Sequence, residues 1–120
     1  MIATLVDIVA GVLVLLGAVF AFVAALGVVR LPDVYVRMHA ATKAGTLAAA
    51  LTLIAVALVA FELSVTVRVI AAVLFLLLTA PVSSHLLARA AYLTRVRLWK
   101  NSVRDDLFGK YDMEDKSLKS

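Results

Sequence analysis

The stretch Ile8–Val29, IVAGVLVLLGAVFAFVAALGVV, decides the fold, because its 22 residues carry no charge at all. A helix rises about 1.5 Å per residue, so some 20 residues cover the ~30 Å hydrocarbon layer of a bilayer. Two more uncharged runs follow, Ala44–Phe61 with 18 residues and Val69–Ala88 with 20. All three are continuous rather than alternating, which selects helices over barrel strands. The first run lacks a basic flank and follows Asp7. It also exceeds the ~7–15 apolar residues of a cleaved signal peptide, so it reads as a retained span.

The predicted fold is therefore an all-α integral membrane protein with three transmembrane helices, spanning about 5–29, 40–61 and 69–88. The membrane domain is placed at 1–100, with helix 3 extending past Arg89 to about Lys100. Residues 101–120 are read as a polar cytoplasmic tail of mixed charge. Tyr92 and Trp99 are expected at headgroup level.

Composition supports this reading. Of the 120 residues, 64% are apolar and 17% charged, against about 45–50% and 25% in soluble domains. Mean hydropathy is +1.05. Charges are segregated: residues 1–88 hold only Asp7, Arg30, Asp33, Arg37, Lys43, Glu62 and Arg68, and the other 13 of 20 follow Ala88. The basic excess adjoins apolar runs, so it points to a membrane surface and not to nucleic acid. With no cysteine, disulfides, thiol catalysis and Cys-ligated metals are excluded.

Orientation follows from the bases. Arg30, Arg37 and Lys43 lie in the first connection, eight bases follow Ala88, and the second connection has Arg68 alone. The positive-inside rule places the N-terminus outside and the C-terminus in the cytoplasm. Pro32 suits a helix start, with Asp33 in the first turn against the positive end of the dipole. Gly17, Ala21 and Ala25, spaced i, i+4, i+8, predict a small-residue packing face on helix 1. Gly45 and Ala49, beside Ala44 and Ala48, predict its counterpart on helix 2. Three helices have little interior, so the chain is expected to bury its faces against other membrane proteins.

Two polar clusters require a reason. Arg30, Pro32, Asp33, Arg37, His39, Lys43 and Thr46 precede or open the second span. Asp33–Arg37 and His39–Lys43 are i,i+4 neighbours on a helix. Together they predict an ion-pair network that docks a partner or lines a cytoplasmic ion entrance; a topology-setting basic loop with solvated charges would look the same. The second cluster is Thr79, Pro81, Ser83, Ser84, His85 and Arg89. Pro81 has no N–H, so the Leu77 carbonyl loses its usual partner, and Ser84 or water is expected to replace it. Pro81, His85 and Arg89 share one stripe, which suggests a kink beside an ion or proton path. A hydrogen bond from His85 to a neighbouring helix is the structural alternative. Asp7 and Glu62 lie at the outer boundary, Glu62 within reach of Arg68.

No span holds Asp, Glu, Lys or Arg in its middle third, so the chain carries no evident transmembrane ion site of its own. Nor is there a phosphate loop, a metal-ligand pair or a nucleophile elbow. His39 and His85 make a poor metal site without a third ligand. No enzyme activity and no cofactor are expected.

The stretches RLPDVYVRMHAATKAGTL (Arg30–Leu47) and TAPVSSHLLARAAY (Thr79–Tyr92) resemble the two signatures of the G-type small subunits (MrpG) of Mrp-type (multiple resistance and pH) cation/proton antiporters. The resemblance covers about Gly17 to Tyr92, and the two long motifs stand in register. It departs at Ala48, where many members have glycine. It implies a small accessory subunit of a hetero-oligomeric Na⁺/H⁺ antiporter in a bacterial or archaeal cell membrane, serving pH and Na⁺ homeostasis. Other subunits and the lipid bilayer are the implied partners, with Na⁺ and H⁺ as the ions the complex carries. The family pattern maps onto Arg30, Pro32, Asp33, Arg37, His39 and Lys43, and onto Pro81, His85 and Arg89. A holin-like, self-assembling small membrane protein is the alternative from another class. It gives no reason for the ordered Arg-Asp-Arg-His-Lys series.

Overall fold

The structure, a computed structural model, describes residues 1–96, Lys100, Lys110 and the pairs 111–112 and 117–118. Three helices make up the fold: α1 (Ile2–Arg30), α2 (Val34–Ala60) and α3 (Leu63–Leu93). At about 1.5 Å per residue they are ~40–46 Å long, so each crosses the hydrocarbon and projects beyond it. All three are long and apolar enough to span a membrane, which makes this a multi-pass membrane protein. Among the described residues, the backbone pairing outside the helices is the two-residue antiparallel ladder of β1 (Tyr111–Asp112) and β2 (Ser117–Leu118). Trp99 and most of the 101–120 tail lie outside the described residues.

α2 is the central element: α1 and α3 both pack on it, and they make no close approach to one another. Only small side chains are buried between α1 and α2, namely Ala10, Gly17 and Ala24 on the first and Ala48 and Ala55 on the second. Hydrocarbon offers no hydrophobic drive for helix association, so close backbone approach and van der Waals contact must supply it. The buried stripe thus differs from the expected Gly17–Ala21–Ala25 face. Ala21 and Ala25 are exposed, and the seam repeats every seven residues. Four residues overshoot one turn by about 40°, so a step of eight drifts ~80° off the contact, whereas seven residues miss two turns by only about 20°.

Both interhelical connections are short. α1 ends as the Leu31 N–H donates to the Gly27 carbonyl, and Leu31 itself is extended. Asp33, also extended, is the N-cap of α2, and its carboxylate accepts the Tyr35 N–H at 3.1 Å. Helix α2 therefore starts one residue after Asp33, and Pro32 stands outside it instead of opening its first turn. The carboxylate meets an orphan N–H of that turn from the cap position, which needs a non-helical backbone. α2 closes on Phe61 in the left-handed region (φ 52), and Glu62 is the N-cap of α3.

Helix α3 runs unbroken through Pro81 and passes Arg89, but it stops at Leu93 instead of Lys100. Arg95 adopts φ 60. Its N–H donates to the Tyr92 carbonyl, and the Val96 N–H to the Ala91 carbonyl. Those two bonds form a Schellman motif, which satisfies the last carbonyls and turns the chain away. Nothing in residue type announces it, since the left-handed position is filled by arginine and not glycine.

Candidate functional site

The two polar clusters, far apart in sequence, meet in space. α2 and α3 run antiparallel from the turn at 61–62. His39 and His85 therefore lie at nearly the same distance from that turn, as do Lys43 and Pro81. Between the helices at this level is an open groove of about 690 Å³. α2 lines it with Tyr35, Met38, His39, Thr42, Lys43, Thr46, Leu47 and Ala50, and α3 with Leu77, Ala80, Pro81, Ser84, His85 and Ala88.

The groove gathers only part of the candidate set. His39, Lys43 and Thr46 reach it from the first cluster, and Pro81, Ser84 and His85 from the second. Arg30, Pro32, Asp33 and Arg37 do not. Arg30 stands exposed in the last turn of α1, where a cation complements the negative end of the dipole. Asp33 is buried as the N-cap, and the Arg37 Nε–H donates to the Leu31 carbonyl. These two side chains grip the backbone of the α1–α2 connection from both ends. The described residues contain no ion pair between them, so the expected network is replaced by charge-to-backbone bonds. Arg89 follows Pro81 and His85 on the same stripe but lies beyond the groove, exposed. The anticipated Glu62–Arg68 pair is likewise absent among the described residues; the Glu62 carboxylate takes the Ser64 hydroxyl at 3.4 Å.

Hydroxyls in and around the groove are turned onto their own helices. Thr42 donates to the Met38 carbonyl at 2.8 Å, and Thr46 to the Thr42 carbonyl. Thr79 donates to the Phe75 carbonyl at 2.7 Å. Ser84 donates to the Pro81 carbonyl at 2.9 Å, not to the Leu77 carbonyl that Pro81 leaves without its helical donor. Among the described residues, the Lys43 ammonium and the imidazoles of His39 and His85 on the groove wall have no side-chain partner. Among the described residues, no Asp or Glu lines the groove, and there is no cluster of three His, Cys, Asp or Glu able to bind a metal. Its polar end carries the Lys43 ammonium and two imidazoles, each of which can donate an N–H.

The contact at Gly27, and Thr52 as the partner of the expected packing glycine Gly17, escape a reading of the sequence. A Cβ built on Gly27 would come within 2.6 Å of the Ala40 Cβ, and one on Gly17 within 2.7 Å of Thr52 Oγ1. Gly27 thus lets α1 meet α2 inside the first motif, at Ala40. Its only signal in the sequence is a glycine among valine and leucine.

Comparison with known proteins accords with this architecture. Residues 13–92, which take in both motifs, match the Na⁺/H⁺ antiporter subunit family model. The chain is 36% identical over 115 residues to the G subunit of the Na⁺/H⁺ antiporter of Alkalihalophilus pseudofirmus, covering 94% of this chain and 97% of the relative. A chain of the Mrp complex from Dietzia superposes with TM-score 0.82 over 87% of this chain and 94% of its own length; at 23% identity, that likeness speaks for the fold. A chain of the membrane-bound sulfane sulfur reductase, an archaeal respiratory membrane complex, superposes with TM-score 0.77 at 40% identity, covering 84% of this chain and 94% of that one. With both signature stretches inside the match and the same three helices in its relatives, the chain belongs to the MrpG family of Na⁺/H⁺ antiporter subunits.

Proposed function

We propose that this chain is a small accessory subunit of a hetero-oligomeric monovalent cation (Na⁺)/proton antiporter and catalyses no reaction itself. The observation that carries this reading is that part of each motif, His39, Lys43 and Thr46 from one and Pro81, Ser84 and His85 from the other, lines one groove that the chain itself leaves open. Its spans hold no central carboxylate, so the ion-binding chemistry belongs to other chains. Arg30, Pro32, Asp33 and Arg37 fix the connection by which the subunit seats in the complex. Pro81, Ser84 and His85 give α3 the contour that shapes a neighbouring ion passage, with Arg89 at its mouth. By the distribution of bases, the groove's polar end faces the cytoplasm.

The test is antiport in everted vesicles lacking native exchangers, comparing the complete gene cluster with one deleted for this chain alone. Blotting for the assembled complex accompanies it. Loss of antiport with the complex intact supports a place beside the ion route, and loss of both makes the chain an assembly element. Unchanged antiport overturns the reading.

The 40% identity to a chain of a respiratory membrane complex favours one second reading: the same module serving in a respiratory assembly. There, ion movement requires an electron donor, whereas an antiporter needs only an imposed ion or proton gradient.

A further inference from the structure

We infer that the α2–α3 groove is a binding site for one anionic phospholipid, its phosphate at Lys43, His39 and His85 and an acyl chain along Leu47, Ala50 and Leu77. Three observations converge. First, the groove is chemically graded along the membrane normal. Lys43 immediately precedes the uncharged run Ala44–Phe61, and His85 lies near the matching end of Val69–Ala88, so the polar end stands at the hydrocarbon boundary. From Lys43 to Ala50 the wall descends about 10 Å, within the ~15 Å of one leaflet's hydrocarbon, and becomes wholly apolar. A phospholipid has the same gradient over the same depth.

Second, the polar end offers donors and no acceptor charge. Among the described residues, Lys43 and both imidazoles have no side-chain partner and no carboxylate lines the groove. An ammonium flanked by two imidazoles, each able to turn an N–H toward it, suits a phosphate. Third, the neighbouring hydroxyls of Thr42, Thr46 and Ser84 are bonded to backbone carbonyls of their own helices, which leaves the deeper wall dry enough for an acyl chain. Basic pockets between transmembrane helices recognise anionic headgroups by this chemistry. The ligand seals the groove and lets a subunit with almost no core sit firmly beside its neighbours. A partner helix would fill the apolar part, but it would have to carry its own anion to the Lys43 level.

The inference requires only a membrane-spanning chain, so it can fail while the antiporter reading stands, and the reverse. The test uses the intact membrane complex that contains this chain, purified in mild detergent, with retained lipids quantified by mass spectrometry. Lys43→Gln is expected to lower retained anionic phospholipid at this subunit about five-fold, with zwitterionic lipid unchanged and Lys43→Arg close to wild type. In the otherwise native complex, a benzophenone side chain at position 47 is irradiated and the adduct identified. A phospholipid adduct is the expected result, and it decides the matter even if Lys43→Gln fails to assemble. An adduct on a peptide from another protein of the complex overturns the inference by showing a partner helix in the groove. Unchanged anionic lipid in assembled Lys43→Gln overturns it as well.

Discussion

Gly17 of α1 lies so close to Thr52 of α2 that a methyl group on the glycine would come within 2.7 Å of the threonine Oγ1 and 3.1 Å of the Ala48 carbonyl oxygen. Thr52 cannot swing away freely, because its hydroxyl donates to that same Ala48 carbonyl at 2.9 Å. The glycine is thus required by approach, not by backbone conformation.

Gly17→Ala is therefore expected to destabilise the α1–α2 pair by about 1–3 kcal/mol, the usual consequence of overpacking. Thr52→Ala in the same chain should restore part of the loss by removing one of the two clashing atoms. Gly11→Ala has nothing within 4 Å of the added carbon and should match wild type. Thermal aggregation of the tagged subunit in detergent ranks the four proteins, and equal midpoints for Gly11→Ala and Gly17→Ala would refute the packing argument.

Gly27 and Ala40 give a stricter version. Two Cβ atoms 2.6 Å apart cannot coexist, and neither has a rotamer through which to escape. Gly27→Ala should lower membrane-inserted subunit sharply, whereas Gly27→Ala with Ala40→Gly should recover most of it. Absence of recovery would mean that the two helices do not meet at this point.

How much of this is legible in the sequence depends on which physical signal each feature leaves. The spans are legible because lipid demands long uncharged runs, and the polar clusters because charge is scarce there. Which small residues form the seam is legible only in part: Gly17 and Ala48 are found, but alanine is abundant, and i, i+4 spacing misses the seven-residue repeat that brings in Ala10, Ala24 and Ala55. The placing of His39 and His85 on the walls of one groove depends on the tight turn at Phe61, whose left-handed backbone no glycine or asparagine signals. Arg37 looks like an ion partner for Asp33 only because i,i+4 spacing counts helical neighbours, and Asp33 is a cap outside the helix.

The cap itself is testable. Asp33→Ala should cost about 1 kcal/mol of α2 stability, with Asp33→Asn close to wild type because its amide oxygen can still accept the Tyr35 N–H. Arg37→Met removes the donor to the Leu31 carbonyl and should add its own loss. Amide exchange at Val34–Met38 in the purified complex reports both. Fast exchange in Asp33→Asn equal to that in Asp33→Ala would show that charge, not the capping bond, holds the helix end.

Orientation can be read without disturbing the fold, since the chain has no cysteine. Ser64, beside the α2–α3 turn, and Thr94, at the end of α3, are both exposed. In intact cells, a membrane-impermeant maleimide should label Ser64→Cys directly and Thr94→Cys only after permeabilisation, as the base distribution requires. The reverse pattern would turn the groove's cationic end to the outer surface.

Pro81 joins the wall of the groove to function. A proline inside a helix costs ~3 kcal/mol relative to alanine, yet α3 retains it where the Leu77 carbonyl has no helical donor and the groove is open. Pro81→Ala restores that donor and removes the pyrrolidine ring from the groove wall. The subunit should accumulate to at least wild-type level while Na⁺-dependent antiport by the whole complex falls severalfold. Ser84→Ala, which removes only a bond to the Pro81 carbonyl on the same helix, should stay within about two-fold, because that exposed bond contributes only ~1 kcal/mol. Full antiport from Pro81→Ala at normal subunit levels would show that the complex does not depend on the contour of α3 at this point, and the proline would then be no more than a tolerated irregularity facing the groove.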